Sequence, residues 1–219
     1  MLVLALDTSS AAVTAALFEV TDDAVEQLAE RVTVNARGHG EHLAPNIAAC
    51  LREAAVAPGA LGAIVAGLGP GPFTGLRVGL VTAAVLAELL AIPAYGVCSL
   101  DAVVPAGQPG ELIVATDARR KEVYWARYDA AGGRLDGPHV ARPADVPLDG
   151  ITAVAGAGAR LYRDVFGVAV LDADFPAAPA LVARASDRIR SGTASEPLTP
   201  LYLRRPDAQP SPTSKAVSR

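Results

Sequence analysis

The chain repeats itself, and no other feature narrows its folding options as far. The pattern Asp7, Val13, Ala16, Phe18 recurs with unchanged spacing as Asp117, Val123, Ala126, Tyr128. Further on, Ile64-Val65-Ala66-Gly67-Leu68-Gly69 is echoed by Ala153-Val154-Ala155-Gly156-Ala157-Gly158. Either echo alone could be a chance match of small apolar residues; two in the same order describe a duplicated unit. The second copy is shorter between its echoes, where the first copy carries a helical segment.

Local pattern gives the unit its shape. Leu2 to Leu6, Ala12 to Val20 and about Leu28 to Val34 read as three strands of an antiparallel meander. From Glu41 the period changes: Leu43, Ile47, Leu51 and Ala54 recur at helical spacing until Pro58-Gly59. Leu61 to Ala66 reads as a buried strand, Gly67 to Pro72 as a rigid turn, Thr74 to Leu90 as a long helix and Ala94 to Val97 as a short strand. That strand-helix-strand order implies parallel pairing with a right-handed crossover. A duplicated meander followed by helix and parallel strand is the plan of the actin, Hsp70 and sugar-kinase superfamily. The expectation is therefore an α/β, actin-like (ribonuclease H-like) fold of two subdomains, each a mixed sheet flanked by helices. Residues 1–100 form the first subdomain, 101–205 a shortened second, and 206–219 a disordered tail rich in Pro, Ser and Thr. The superfamily binds ATP between its halves, but a fold alone does not settle function.

Composition removes several classes. With 219 residues, 51% of them hydrophobic, the chain can bury a sizeable core. A net charge of −4 argues against gripping nucleic acid unaided. Glycines and charges interrupt every long apolar run, so no membrane span is expected. The opening Met1 to Asp7 lacks the basic region of a secretory signal. Two cysteines, Cys50 and Cys98, form no framework, as in a reduced cytoplasmic protein.

Each motif has a functional and a bland reading. Asp7-Thr8-Ser9-Ser10, in the first turn, has the small hydroxyl residues that cradle a phosphate and an aspartate that can hold hydrated Mg²⁺. The same residues also make an ordinary polar turn. Its counterpart, Asp117-Ala118-Arg119-Arg120-Lys121, has no glycine and three long cations, so either the arginines meet phosphates directly or this half has lost the usual nucleotide mode. A solvated charge run, with Glu122 pairing locally, is the third reading. The Gly67 to Gly79 segment lies between strand and helix, yet it is neither a Walker loop nor a dinucleotide fingerprint. His39 and His42, without a third ligand type, read as surface residues rather than a metal site. His139 stands alone beside Pro138, and no Ser/His/Asp or Cys/His set is present.

The long helix is the most informative element. A helix covering one sheet face carries an apolar stripe and a polar face. Thr74 to Leu90 instead carries Leu76, Val78, Leu80, Val81, Val85, Leu86, Leu89 and Leu90, with only Arg77 and Glu88 as charges. Either the chain covers it completely or a partner protein does.

Four segments together resemble one family. Leu4-Ala5-Leu6-Asp7-Thr8-Ser9, the run Gly69-Pro70-Gly71-Pro72-Phe73-Thr74-Gly75-Leu76-Arg77-Val78-Gly79, the run Asp117 to Tyr124, and Pro200-Leu201-Tyr202-Leu203-Arg204 are similar to the signatures of the bacterial threonylcarbamoyladenosine biosynthesis family TsaB, also called YeaZ. The likeness runs to about Arg205. It implies a shortened, non-catalytic relative of TsaD, the transferase that places threonylcarbamoyl on the adenosine beside the anticodon. It also implies partners, a TsaD-like catalytic subunit and a TsaE-like ATPase; the uncovered apolar helices add a second copy of the chain in isolation. Transfer RNA would be reached only through the complex, with no membrane involved. No cofactor is implied for the chain alone, and ATP or ADP stays open within the complex.

The resemblance also assigns residues. The catalytic relative carries Val-Asn-His-Leu-Glu-Gly-His, whose histidines hold a metal, where this chain has Val97-Cys98-Ser99-Leu100-Asp101-Ala102-Val103. Ser99 and Val103 then stand at the ligand positions, and neither replaces a neutral imidazole. No catalytic residue and no metal ligand are implied. Asp7, Thr8 and Ser9 become a degenerate phosphate loop, and Leu43, Ile47, Leu51, Leu76 and Leu80 the side chains expected to meet the partner. One departure is His39-Gly40-Glu41-His42-Leu43-Ala44-Pro45, where members read His-Ser-Glu-x-Leu-Leu-Pro. Gly40 is a slightly poorer helix cap than serine, and Ala44 trims apolar area at the contact. The alternative is a free-standing ATP-dependent enzyme or a metallopeptidase of the wider family. The missing histidine pair and the glycine-free second turn count against both.

Overall fold

The computed structural model describes residues 1–108 and 110–204. In the first sheet, β1 (Leu2–Asp7), β2 (Ala12–Val20) and β3 (Val25–Val34) form the antiparallel meander. β4 (Leu61–Gly67) and β5 (Ala94–Val97) then add in parallel beside β1, giving the order β3-β2-β1-β4-β5. The second sheet repeats this. β6 (Leu112–Asp117), β7 (Val123–Tyr128) and β8 (Arg134–Ala141) form a meander, and β9 (Ala153–Ala155) and β10 (Ala169–Val170) lie parallel beyond β6. Asp7 and Asp117 end the first strand of their respective copies, so the sequence echo is an architectural one.

Helices distinguish the copies. α1 (His39–Glu53) joins β3 to β4, and α2 (Phe73–Leu90) joins β4 to β5. In the second copy a single 3-10 turn at Pro143–Asp145 lies between β8 and β9, which is the expected deletion. Only the short α3 (Ala157–Leu161) and α4 (Arg163–Phe166) stand between β9 and β10. Boundaries shift modestly: β3 begins at Val25, and α1 stops at Glu53, before Pro58.

The subdomain boundary needs one correction. α5 (Ala178–Arg190) follows the second sheet in sequence, yet it packs on the first. Its Leu181, Val182, Ala185 and Ile189 share a core with Val3, Ala5, Phe18, Val65 and Tyr95. α1 and α2 cover the opposite face through Leu43, Ile47, Leu76 and Leu80. Residues 1–100 therefore hold all of the first sheet but only part of its cover. The expected tail at 206–219 lies outside the described residues.

After α5 the chain runs back as a strap. The Glu196 N–H donates to Ala94 O at 3.1 Å and the Leu201 N–H to Leu68 O at 2.8 Å, along the edge of the first sheet. Arg204 then donates to Ala118 O at 2.9 Å and pairs with Glu122, in the turn after β6. Glu122 thus pairs with the strap.

By length and composition α2 is apolar enough to cross a bilayer, which corrects the expectation that no segment would be. Gly75 and Gly79 do not offset a helix whose only charges are Arg77 and Glu88. It packs on the sheet through Leu76, Leu80, Ala83 and Ala87.

Candidate functional site: the Asp7 turn, the long helix and the cleft

In the turn that could have cradled a phosphate, Asp7 and Thr8 are bonded to the protein itself, while Ser9 and Ser10 line a pocket. Asp7 and Thr8 are each 1% exposed. Asp7 Oδ1 accepts from the Ser9 N–H (2.9 Å) and the Ser9 hydroxyl (2.7 Å), and Oδ2 accepts from the Ser99 hydroxyl at 2.6 Å. Burial pushes the Asp7 carboxyl above its usual range, against the opposing pull of the Ser99 and Ser9 hydrogen bonds. The Thr8 hydroxyl donates to Gly75 O (2.8 Å) and accepts from the Gly79 N–H (3.0 Å), tying the turn to α2. The side-chain oxygens of Asp7 and Thr8 are thus engaged within the chain, so these two residues form a structural joint.

The glycine-rich segment follows from this joint. A Cβ at Gly67 would lie 1.8 Å from Asp7 Oδ2, and one at Gly79 only 2.4 Å from Thr8 Oγ1. The spacing that fits no nucleotide fingerprint is the spacing at which backbone must pass over the Asp7 turn.

The stretch Val97 to Val103 is occupied likewise. Ser99 holds Asp7 and also accepts from the Gly69 N–H at 3.0 Å. Leu100 and Val103 sit in the core of the second sheet. Asp101 Oδ1 accepts from the Tyr128 hydroxyl at 2.8 Å and pairs with Arg134 at 3.3 Å. These residues join the two subdomains. Among the described residues, no group of three or more His, Cys, Asp or Glu could hold a metal ion.

Two further readings are corrected. His39 is not a surface residue: it is 7% exposed, and its Nε2 donates to Ser10 O at 2.7 Å, anchoring α1 to the first turn. His42 instead meets Asn35 at 3.2 Å. The proposed contact residues Leu43, Ile47, Leu51, Leu76 and Leu80 are all buried in the core of the first sheet. Their helical period marks the side facing that sheet.

α2 itself is organised in two ridges. Gly75, Gly79, Ala83 and Ala87, four residues apart, face inward, and their small size lets the helix sit close to the sheet. Arg77, Val81, Val85 and Leu89 form the opposite ridge, with Val81, Val85 and Leu89 exposed by 57, 50 and 76%. Beside them α1 exposes Ala44, Pro45 and Ala48. Sequence reading missed this face because it took the largest apolar residues for the contact. The small-residue repeat was the signal available.

The second turn keeps its charge on an unusual backbone. Arg119, Arg120 and Lys121 have φ values of 62°, 53° and 61°. Left-handed backbone costs a non-glycine residue about 1 kcal/mol. The Arg119 N–H bonds Asp117 Oδ1 at 2.8 Å, and the Glu122 N–H bonds Arg119 O at 3.0 Å, holding the conformation. Beside this turn a cleft of about 490 Å³ opens between the starts of α1 and α2 and the end of the strap.

Duplicated mixed sheets, each with the same strand order, define an actin-like protein. The family model for TsaD, the tRNA N6-adenosine threonylcarbamoyltransferase, matches residues 28–196. A YeaZ structure from Pseudomonas aeruginosa superposes with a TM-score of 0.76 at 30% identity, covering 92% of this chain and 99% of that one. The Escherichia coli tRNA threonylcarbamoyladenosine biosynthesis protein TsaB is 28% identical over 93% of this chain and 95% of its own length. An uncharacterised Mycobacterium leprae protein is 48% identical over 95% of this chain, which spans 56% of that relative. The chain belongs to the TsaB/YeaZ family.

Proposed function

We propose that the chain is a non-catalytic assembly partner of a TsaD-type threonylcarbamoyl transferase, acting in the biosynthesis of threonylcarbamoyladenosine in transfer RNA. The observation that carries this reading is the outward ridge of α2. Val81, Val85 and Leu89 lie in water beside the small exposed residues of α1, and contiguous apolar faces of this kind mark interaction sites. A partner of the same fold offers an equivalent helix pair, so the contact is pseudo-symmetric. Two copies of this chain would meet there about a true two-fold. One face serves both dimers, and the heterodimer displaces the homodimer.

The absence of catalysis in this chain is supported by the occupied Asp7 turn and by Ser99 and Val103 at the ligand positions. A TsaE-like ATPase and transfer RNA join through the assembly, and any ATP or ADP it uses is not held by the Asp7 turn. A cytoplasmic location follows from that substrate.

Reconstitution tests the reading. Transfer RNA, the TsaD-like and TsaE-like subunits and the threonylcarbamoyl donor system are combined with and without the chain, and the modified nucleoside is measured by mass spectrometry. Modification that requires the chain, with none made by the chain alone, is expected. Modification by the chain alone would establish the free-standing enzyme instead.

A further inference from the structure

We infer that the cleft beside the second turn binds a phosphodiester of RNA. Arg37, Arg119, Arg120 and Arg204 line it together with Phe73 and Tyr202, and among the described residues no carboxylate does. In a chain of net charge −4 this is a local reversal of sign, gathered from three separate segments. Arg119 and Arg204 pair with Asp117 and Glu122, which lie outside the lining. A guanidinium has five donors, so such a pair leaves others to offer a phosphate.

The backbone gives an independent argument. The turn holds Arg119, Arg120 and Lys121 in the left-handed region, where glycine would sit without strain. Turn geometry alone therefore favours glycine three times over. The cations are explained by what their side chains reach, not by the bend they occupy.

The lining selects among phosphate ligands. A Mg²⁺-bound triphosphate wants a cradle of amides and a carboxylate near the metal. Among the described residues the lining has no carboxylate, and both oxygens of Asp7 are engaged by Ser9 and Ser99. A phosphodiester brings one charge per unit and a base beside it. Phe73 and Tyr202, with ring centroids 5.0 Å apart, and Arg77, 4.8 Å from the Phe73 centroid, form a surface on which a base can stack. This inference rests on the reading of the chain as part of a tRNA-modifying assembly, since that assembly supplies the RNA.

The test titrates the full chain into a labelled anticodon stem-loop RNA and follows anisotropy at low and physiological salt. Binding that weakens with salt is expected. The double variant R119G/R120G should keep or raise thermal stability, because its backbone strain is relieved, while RNA affinity falls by at least about tenfold, as for a lost charge-assisted contact. R37A, on a different segment, should weaken binding in the same direction. Inorganic phosphate and Mg²⁺-ATP should displace the RNA far less readily than unlabelled stem-loop. Absence of binding at low salt, or undiminished affinity in the double variant, would overturn the inference. Displacement by micromolar Mg²⁺-ATP would overturn it in favour of a nucleotide. Co-elution of the double variant with the TsaD-like subunit should persist. Its loss alone, with RNA binding undiminished, would count against this inference and would not bear on the α2 contact.

Discussion

The Ser99 hydroxyl donates to Asp7 Oδ2 at 2.6 Å, linking the segment after β5 to the end of β1. Ser99→Ala removes that donor and leaves the Gly69 N–H without its acceptor. A loss of about 1–3 kcal/mol is expected from denaturant unfolding, with the fold retained. The pH dependence has a definite sign. Asp7 already titrates above its usual value, so its ionisation opposes folding as pH rises from the unfolded value through the folded one. Removing a hydrogen bond that favours the charged form raises the folded value further. The Ser99→Ala penalty should be smallest near about pH 4 and grow towards neutral pH. A penalty constant over that range would contradict this assignment.

Two glycine substitutions should act in opposite directions. Alanine in place of a helical glycine ordinarily stabilises by up to about 1 kcal/mol. At Gly40, in the first turn of α1, an added Cβ meets nothing within 4 Å, so Gly40→Ala should raise the melting temperature. At Gly79 the same atom would lie 2.4 Å from Thr8 Oγ1, so Gly79→Ala should lower it. A stabilised Gly79→Ala variant would contradict close packing of α2 on the Asp7 turn.

These contrasts show where sequence legibility ends. The first meander, the strand-helix-strand unit and the duplication were all readable, because strand and helix periods and the recurring Asp7/Asp117 spacing are local properties. The return of α5 to the first sheet was not, since its Leu181, Val182, Ala185 and Ile189 find partners more than a hundred residues away. The contact face also misled. Leu43, Ile47 and Leu51 show a clear helical period because they face the first sheet's core. On α2 the period is hidden, because Val81 and Val85 outside are as apolar as Leu76 and Leu80 inside. The small residues Gly75, Gly79, Ala83 and Ala87 lie inward, and the two charges, Arg77 and Glu88, lie outward. The roles of Arg37 and Arg204 at the cleft depend on tertiary placement alone.

Both cysteines should be inert in the native protein. Burial raises the Cys50 thiol, and it pushes Cys98 up to about 11. Near pH 8 roughly one Cys98 in a thousand would be thiolate. Iodoacetamide followed by mass spectrometry should leave both unmodified in the folded chain and label both after denaturation. Rapid native labelling of Cys98 would place it at an opening between the subdomains.

Ile47 is 8% exposed and belongs to the core, so Ile47→Glu should cost several kcal/mol of stability by burying an unpaired charge. A cooperative thermal melt near that of the wild type would contradict its place in the core.

Titration calorimetry between this chain and the TsaD-like subunit tests the assembly role most directly. Val85 is 50% exposed on the outward ridge of α2, so Val85→Glu should melt like the wild-type chain. Buried in the contact, the same carboxylate would be unpaired and should remove measurable binding heat. A folded Val85→Glu variant that binds the TsaD-like subunit with wild-type affinity would contradict the partner role assigned to this face.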